Sequence, residues 1–236
     1  MTPSKPASLK AVSFDVDGTL HDFEAVMQCA LGHVLDTLQE TDPAATEMLT
    51  VDRMIETRDR VHDEQRGGVR SLNEVRREGF RRMLEDVGRP DKELAARLGD
   101  IYYETKYSLE ALFEDVRPAL ETLTTRLTLG IISDGNTYPR QLGLEDLIAF
   151  SVYSEHHGGI EKPDPRIFRI ALEEAGCAPH QMVHVGDDLE GDVAGAQNAG
   201  IRAVWLNREG RRRPVDIEPD WEMTSLAELD STLANI

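Results

Sequence analysis

Two aspartates one residue apart close an apolar run and precede a glycine and a threonine: Ala11-Val12-Ser13-Phe14-Asp15-Val16-Asp17-Gly18-Thr19-Leu20. In an extended chain, residues two apart point the same way, so the Asp15 and Asp17 carboxylates converge on one small volume. Two anions so close raise each other's cost of ionisation, and the pair calls for a cation or a shared proton. A calcium loop of the EF-hand type needs a later glycine and a closing glutamate. Here Gly18 comes too early and Val26 stands at the glutamate position. A solvated acidic turn is the plain alternative, and the rest of the chain argues against it.

Two further apolar runs end in polar residues with glycine, at Ser133-Asp134-Gly135 and at Gly186-Asp187-Asp188. Between them lies Glu161-Lys162-Pro163-Asp164-Pro165, where proline forbids helix. Glycines allow tight turns and leave backbone N–H groups free to face an anion. In open α/β sheets, ligands bind beyond the carboxyl ends of the strands. Two acidic strand ends, one hydroxyl end and one lysine on a common edge suggest a phosphate held beside a divalent metal.

The elements that must position these residues fall into two grammars. From Phe23 to Leu38 apolar residues recur at helical spacing, and further helices are expected from Ala44 to about Arg66, from the Ser71/Glu74 capping box through Leu84, and from Lys92 to Leu109. Gly67-Gly68 reads as a turn. The second half alternates short apolar runs (Leu127 to Ser133, Gln181 to Gly186, Ile201 to Leu206) with helical stretches at Pro118–Arg126, Pro165–Ala175 and Asp192–Ala199; a last helix is expected over Leu226–Leu233. That alternation is the signature of βαβ units in a parallel sheet. The expected architecture is α/β: a Rossmann-like parallel-sheet core, residues 1–21 and 113–236, with an all-helical cap, residues 22–112, inserted after the first strand.

The formal net charge is −18 over 236 residues, which argues against a nucleic-acid polymer or an anionic membrane as partner. A small anionic substrate stays compatible, because a pocket can be cationic on an acidic protein. Cys29 and Cys177 lie too far apart for a disulfide framework or a metal-ligand spacing and are expected as buried apolar residues. The first ten residues lack the apolar run of a signal peptide and no stretch reaches the roughly 20 apolar residues of a membrane span. A cytoplasmic protein, monomer or homodimer, is expected.

The ordered set Asp15-x-Asp17-Gly18-Thr19, Ser133, Lys162-Pro163 and Gly186-Asp187-x-x-x-x-Asp192 resembles the four motifs of the haloacid dehalogenase superfamily, from about Lys10 to Arg208. The resemblance implies a Mg²⁺-dependent phosphatase acting on a small phosphorylated metabolite. Asp15 would be the nucleophile that becomes an aspartyl phosphate. Asp17 would protonate the leaving oxygen and deprotonate the attacking water. Ser133 and neighbouring amides would hold phosphate oxygens, Asp134 contributing mainly its backbone N–H beside Gly18, Thr19 and Gly135. Lys162 would offset the charge of the transferring group. Mg²⁺ would take the Asp15 carboxylate, the Asp17 carbonyl and Asp187, with Asp192 favoured over Asp188 as the further acidic partner.

Dehalogenating relatives lack an acid at the second position, so Asp17 favours ester hydrolysis; a sugar phosphomutase is the alternative. A phospho-receiver signalling domain is shorter and carries no such insertion. The cap is rich in arginine (Arg53, Arg58, Arg60, Arg66, Arg70, Arg76, Arg77, Arg81 and Arg82), and most read as solvated helix faces paired with nearby carboxylates. Arg66 and Arg70, flanking the glycine turn, and His21, just past the catalytic turn, are the candidate substrate contacts.

Overall fold

The computed structural model describes residues 8–65, 71–109, 111–213 and 216–234. Four-residue β1 (Ala11–Phe14) is buried throughout. It is followed by α1 (Phe23–Thr41), α2 (Pro43–Thr46), α3 (Val51–Gln65), α4 (Leu72–Asp86), α5 (Lys92–Ser108) and α6 (Val116–Thr124). Then come β2 (Thr128–Ser133), β3 (Phe150–Tyr153), α7 (Pro165–Ala175), β4 (Met182–Gly186), α8 (Gly195–Asn198), β5 (Arg202–Leu206), β6 (Trp221–Met223) and α9 (Leu229–Leu233). The chain separates into two compact units, Met1–Asp22 with Leu112–Ile236, and Phe23–Ala111.

The first unit is a six-stranded parallel sheet in the order β3-β2-β1-β4-β5-β6. Side chains alternate between its faces, as the period of two demands. Val12, Phe14, Leu129, Ile131, Val183, Val185, Val204 and Leu206 enter the cluster that includes α6 and α9 residues. Ala11, Ile132, Met182, Ala203 and Trp205 enter the one with α7 and α8 residues. Burial on both faces makes these strands near-continuous apolar runs.

β3 and β6 were not expected from the sequence. Both are edge strands of four and three residues, and each carries an exposed polar residue, Ser151 or Glu222, that dilutes the apolar signal. The expected helix over Asp192–Ala199 begins earlier, as a π-helical turn over Leu189–Ala194 that runs into α8.

The second unit is all helical, around a core of α1, α4 and α5 residues such as Leu31, Val34, Phe80, Met83, Leu98 and Tyr102. The expected single helix from Ala44 to Arg66 is broken. The Thr46 hydroxyl donates to the Pro43 carbonyl (2.7 Å), and the Thr50 hydroxyl accepts the Arg53 N–H (3.3 Å) at the start of α3. The capping box of α4 is formed, with Ser71 Oγ accepting the Glu74 N–H and the Glu74 carboxylate accepting the Ser71 N–H. Gly67-Gly68 lies outside the described residues. Neither cysteine is fully buried: Cys29 lies on the outward face of α1 and Cys177 follows the helix-ending Gly176, half-buried.

Candidate active site

Register places the acidic residues together. Phe14 pairs with Ile131 on one side and with Val185 on the other, so Asp15, Ser133 and Asp187 fall one or two residues beyond a common line across the sheet. Gly18, at φ 88°, turns the chain back on itself, its N–H donating to the His21 carbonyl (2.8 Å). A Cβ at Gly18 would lie 2.8 Å from the Asp187 carboxylate, so only glycine lets β1's loop approach that of β4. Gly135 plays the same part toward Asp17, whose Oδ2 would meet a Cβ there at 2.5 Å.

Lys162 is the hub. Its buried ammonium donates to Asp15 Oδ1 (2.5 Å) and Asp192 Oδ1 (2.6 Å). Its backbone N–H donates to both Asp134 oxygens (3.1 and 3.2 Å). The Asp134 carboxylate thus anchors the lysine loop, a part that the sequence reading, which looked to its backbone amide, did not foresee. Burial pushes the Asp134 carboxyl up to about 6 against the pull of Lys162.

Behind the lysine runs a buried relay absent from the sequence reading. His184 Nδ1 lies 2.9 Å from Ser13 Oγ, and Nε2 lies 3.1 Å from Asp192 Oδ1. Burial lowers the His184 pKa. A neutral ring satisfies both partners by donating from Nε2 to the carboxylate and accepting at Nδ1 from the serine hydroxyl. The available signal was a histidine inside an otherwise apolar strand, where polar side chains are rarely unpaired.

Asp15, Asp187 and Asp192 offer carboxylate oxygens within 4.8 Å of one another. Burial raises the Asp15 pKa well above its ordinary value, and burial with the charge of Asp192 pushes Asp187 up to about 6. Asp192 differs. The Lys162 and His184 bonds outweigh its burial and hold it ionised, and its Oδ2 accepts the Asp188 N–H (3.1 Å). An oxygen-only cluster with two destabilised carboxylates fits a hard divalent cation. Asp15 and Asp187 are placed to ligate it, and Asp192 to orient Lys162 behind them.

Of the remaining expected residues, Thr19 is buried and donates to Asp187 Oδ1 (3.4 Å). Ser133, at the end of β2, accepts the Gly135 N–H (3.0 Å). His21 is 2% exposed, with Nδ1 3.3 Å from Asp17 Oδ1. Arg66 and Arg70 lie outside the described residues. Two arginines that the sequence reading passed over also hold the site. Arg211 donates to the Asp187 carbonyl (2.8 Å), as does Trp205 Nε1 (2.9 Å). Arg208 donates to the Thr19 carbonyl (2.9 Å) and forms a two-pronged pair with Asp115 (3.0 Å each). No local sequence signal separates these two from solvated arginines.

A family model for haloacid dehalogenase-like hydrolases matches residues 9–200. Glyceraldehyde 3-phosphate phosphatase of Methanothermobacter thermautotrophicus is 30% identical over 85% of this chain and 87% of its own. Pyrimidine 5'-nucleotidase YjjG of Escherichia coli is 38% identical, over 48% of this chain and 53% of that one. Among solved structures, a 2-haloacid dehalogenase from Pseudomonas syringae superposes with a TM-score of 0.79 at 37% identity, covering 96% of this chain and 99% of the other.

Proposed function

The chain belongs to the haloacid dehalogenase-like hydrolases, and on that premise we propose that it is a Mg²⁺-dependent phosphatase of a small, soluble phosphomonoester. The observation that carries the reading is Asp17 beside Gly135 and Ser133, an acid within reach of the phosphate cradle, with the Lys162 ammonium donating to Asp15 and Asp192. Named phosphatases among the relatives support it. The described residues contain no helix long and apolar enough to cross a membrane.

Lys162 holds Asp15 Oδ1, and the other carboxylate oxygen attacks phosphorus. The leaving oxygen takes its proton from Asp17, giving an alcohol and an aspartyl phosphate. Asp17, now ionised, takes a proton from water, whose oxygen attacks phosphorus and frees Asp15 and inorganic phosphate. Ser133 and the amides around Gly135 donate to the equatorial oxygens, and Lys162 offsets their charge. Mg²⁺, when bound by Asp15, the Asp17 carbonyl and Asp187, supplies charge neutralisation at the phosphoryl group.

The test is phosphate release from a panel of phosphomonoesters, with Mg²⁺ or with EDTA, for the wild type and Asp15→Asn. Metal-dependent release that the substitution abolishes is expected. Phosphoryl transfer between two positions of a sugar, without free phosphate, would mark a phosphomutase. The 37% identity to a haloacid dehalogenase favours a second reading, so the panel includes 2-chloropropionate; chloride release without phosphatase activity would replace the proposal.

A further inference from the structure

β1 and β4 each carry one polar residue inside an apolar face that they share. Ser13 and His184 stand side by side in register, and both are wholly buried. Their neighbours on that face, Ala11, Met182, Ile132, Ala203 and Trp205, belong to the apolar cluster that α7 and α8 cover. A buried polar pair of this kind contributes little to stability that two apolar side chains of the same shape would not. The fold gives no reason for it, whereas the site does.

The bonds run in a circuit. Ser13 Oγ lies 2.9 Å from His184 Nδ1, and His184 Nε2 lies 3.1 Å from Asp192 Oδ1. The Lys162 ammonium donates to that same Oδ1 (2.6 Å) and to Asp15 Oδ1 (2.5 Å). The path leaves β1 at Ser13 and returns two residues on, at Asp15, by way of β4, the turn after it and the lysine loop. Met182 Sδ, 3.6 Å from Ser13 Oγ, is a weak acceptor, which leaves the hydroxyl proton to the imidazole. The Phe168 ring packs on that imidazole in a T-shaped contact, with centroids 5.2 Å apart and planes at 84°, and so helps to hold its orientation.

Asp192 has room in this circuit because residue 186 is glycine, where a Cβ would lie 2.1 Å from Asp192 Cγ. Its other oxygen accepts the Asp188 N–H (3.1 Å). The carboxylate is held at both oxygens, and what holds it sets the direction in which it draws the lysine.

We propose that His184, oriented by Ser13, is a positioning residue for phosphoryl transfer: through Asp192 it aims the Lys162 ammonium at Asp15. The proposal rests on the phosphatase reading for the step that it serves. Without the Nε2 donor, Asp192 Oδ1 keeps only the lysine, and carboxylate and ammonium can settle together away from Asp15. Lys162 then offsets the charge of the transferring group less well, so the greater part of the loss falls on kcat.

The test uses p-nitrophenyl phosphate, with the panel's most rapidly hydrolysed ester beside it, at saturating Mg²⁺ and with rates taken per folded molecule. His184→Met, which keeps the bulk and removes both bonds, is expected to lower kcat about 10²-fold, the cost of a misplaced group, with KM little changed. His184→Gln, whose amide N–H stands where Nε2–H stood, is expected to restore most of the rate. Ser13→Ala is expected to lower kcat less than His184→Met does. A merely structural part would lower Tm in these variants and leave kcat per folded molecule unmoved. That result, or a Gln variant no faster than the Met variant, overturns the proposal.

The link is also read without turnover, from the ¹⁵Nζ resonance of Lys162 in the whole protein. His184→Met is expected to shift it, and His184→Gln to return it toward its wild-type position. If no ester is hydrolysed but the resonance moves and returns in this way, the phosphatase reading fails alone. A resonance that His184→Met leaves in place overturns the positioning role.

Discussion

At the scale of single residues, the site is built by giving five nearby carboxylates different work. Asp192 is spent on Lys162 and His184, Asp134 on the lysine's backbone, and Asp15 and Asp187 keep oxygens for a cation. Asp17→Asn is therefore expected to lower kcat about 10²–10⁴-fold, the usual value of a general acid–base group, in steady-state assays at saturating substrate. Adding Mg²⁺ is expected to raise Tm of the wild type by mass action on the native state, and Asp187→Asn to abolish most of that rise in thermal melts. Asp192→Ala leaves a buried lysine and histidine short of an acceptor and is expected to cost about 3–5 kcal/mol in urea unfolding. A loss under about 1 kcal/mol would mean the relay is no more than a surface-like ion pair.

At the scale of elements, the loops after the strands are held by residues far away in the chain. Arg208, just past β5, joins the Thr19 carbonyl, Asp115 before α6 and the face of the Phe113 ring at 4.0 Å. Asp115 also accepts from Ser225 Oγ (2.6 Å) and the Leu226 N–H (2.8 Å). Burial raises the Asp115 pKa, but these donors outweigh it and hold the carboxyl below its usual range. A carboxyl with a depressed native pKa contributes stability above its unfolded pKa of about 3.9, and loses it as pH falls through the native value. Asp115→Asn is thus expected to flatten the acid limb of the stability–pH curve below about pH 4, measured by denaturant midpoints. In the helical unit, Ser71→Ala removes the α4 cap and is expected to cost about 1 kcal/mol by the same measurement.

At the scale of the whole molecule, each unit has its own apolar core, and the connections leave and return at Asp22 and Leu112. The formal charge of −18 makes self-repulsion a general term against the compact state. Tm is expected to rise between 20 mM and 200 mM NaCl as added salt shortens the reach of that repulsion, by differential scanning calorimetry.

The sequence by itself determined the parallel-sheet core and the helical insertion, and it singled out Asp15, Asp17, Ser133, Lys162 and Asp187 as candidates. Buried parallel strands must be apolar on both faces, and phosphate chemistry needs acids, glycines and a cation at their ends. Those demands are local, so they show in the order of residues along the chain. Only the tertiary structure decided the rest. Edge strands β3 and β6 depend on a neighbour for their hydrogen bonds and carry little pattern of their own. The partners of Lys162, His184 and Arg208 lie from 8 to 189 positions away, and whether an arginine is matched or orphaned depends on what folding packs around it. A guanidinium reads the same in the sequence whether it ends beside Asp100, as Arg77 does, or with an N–H left open, as Arg76 does.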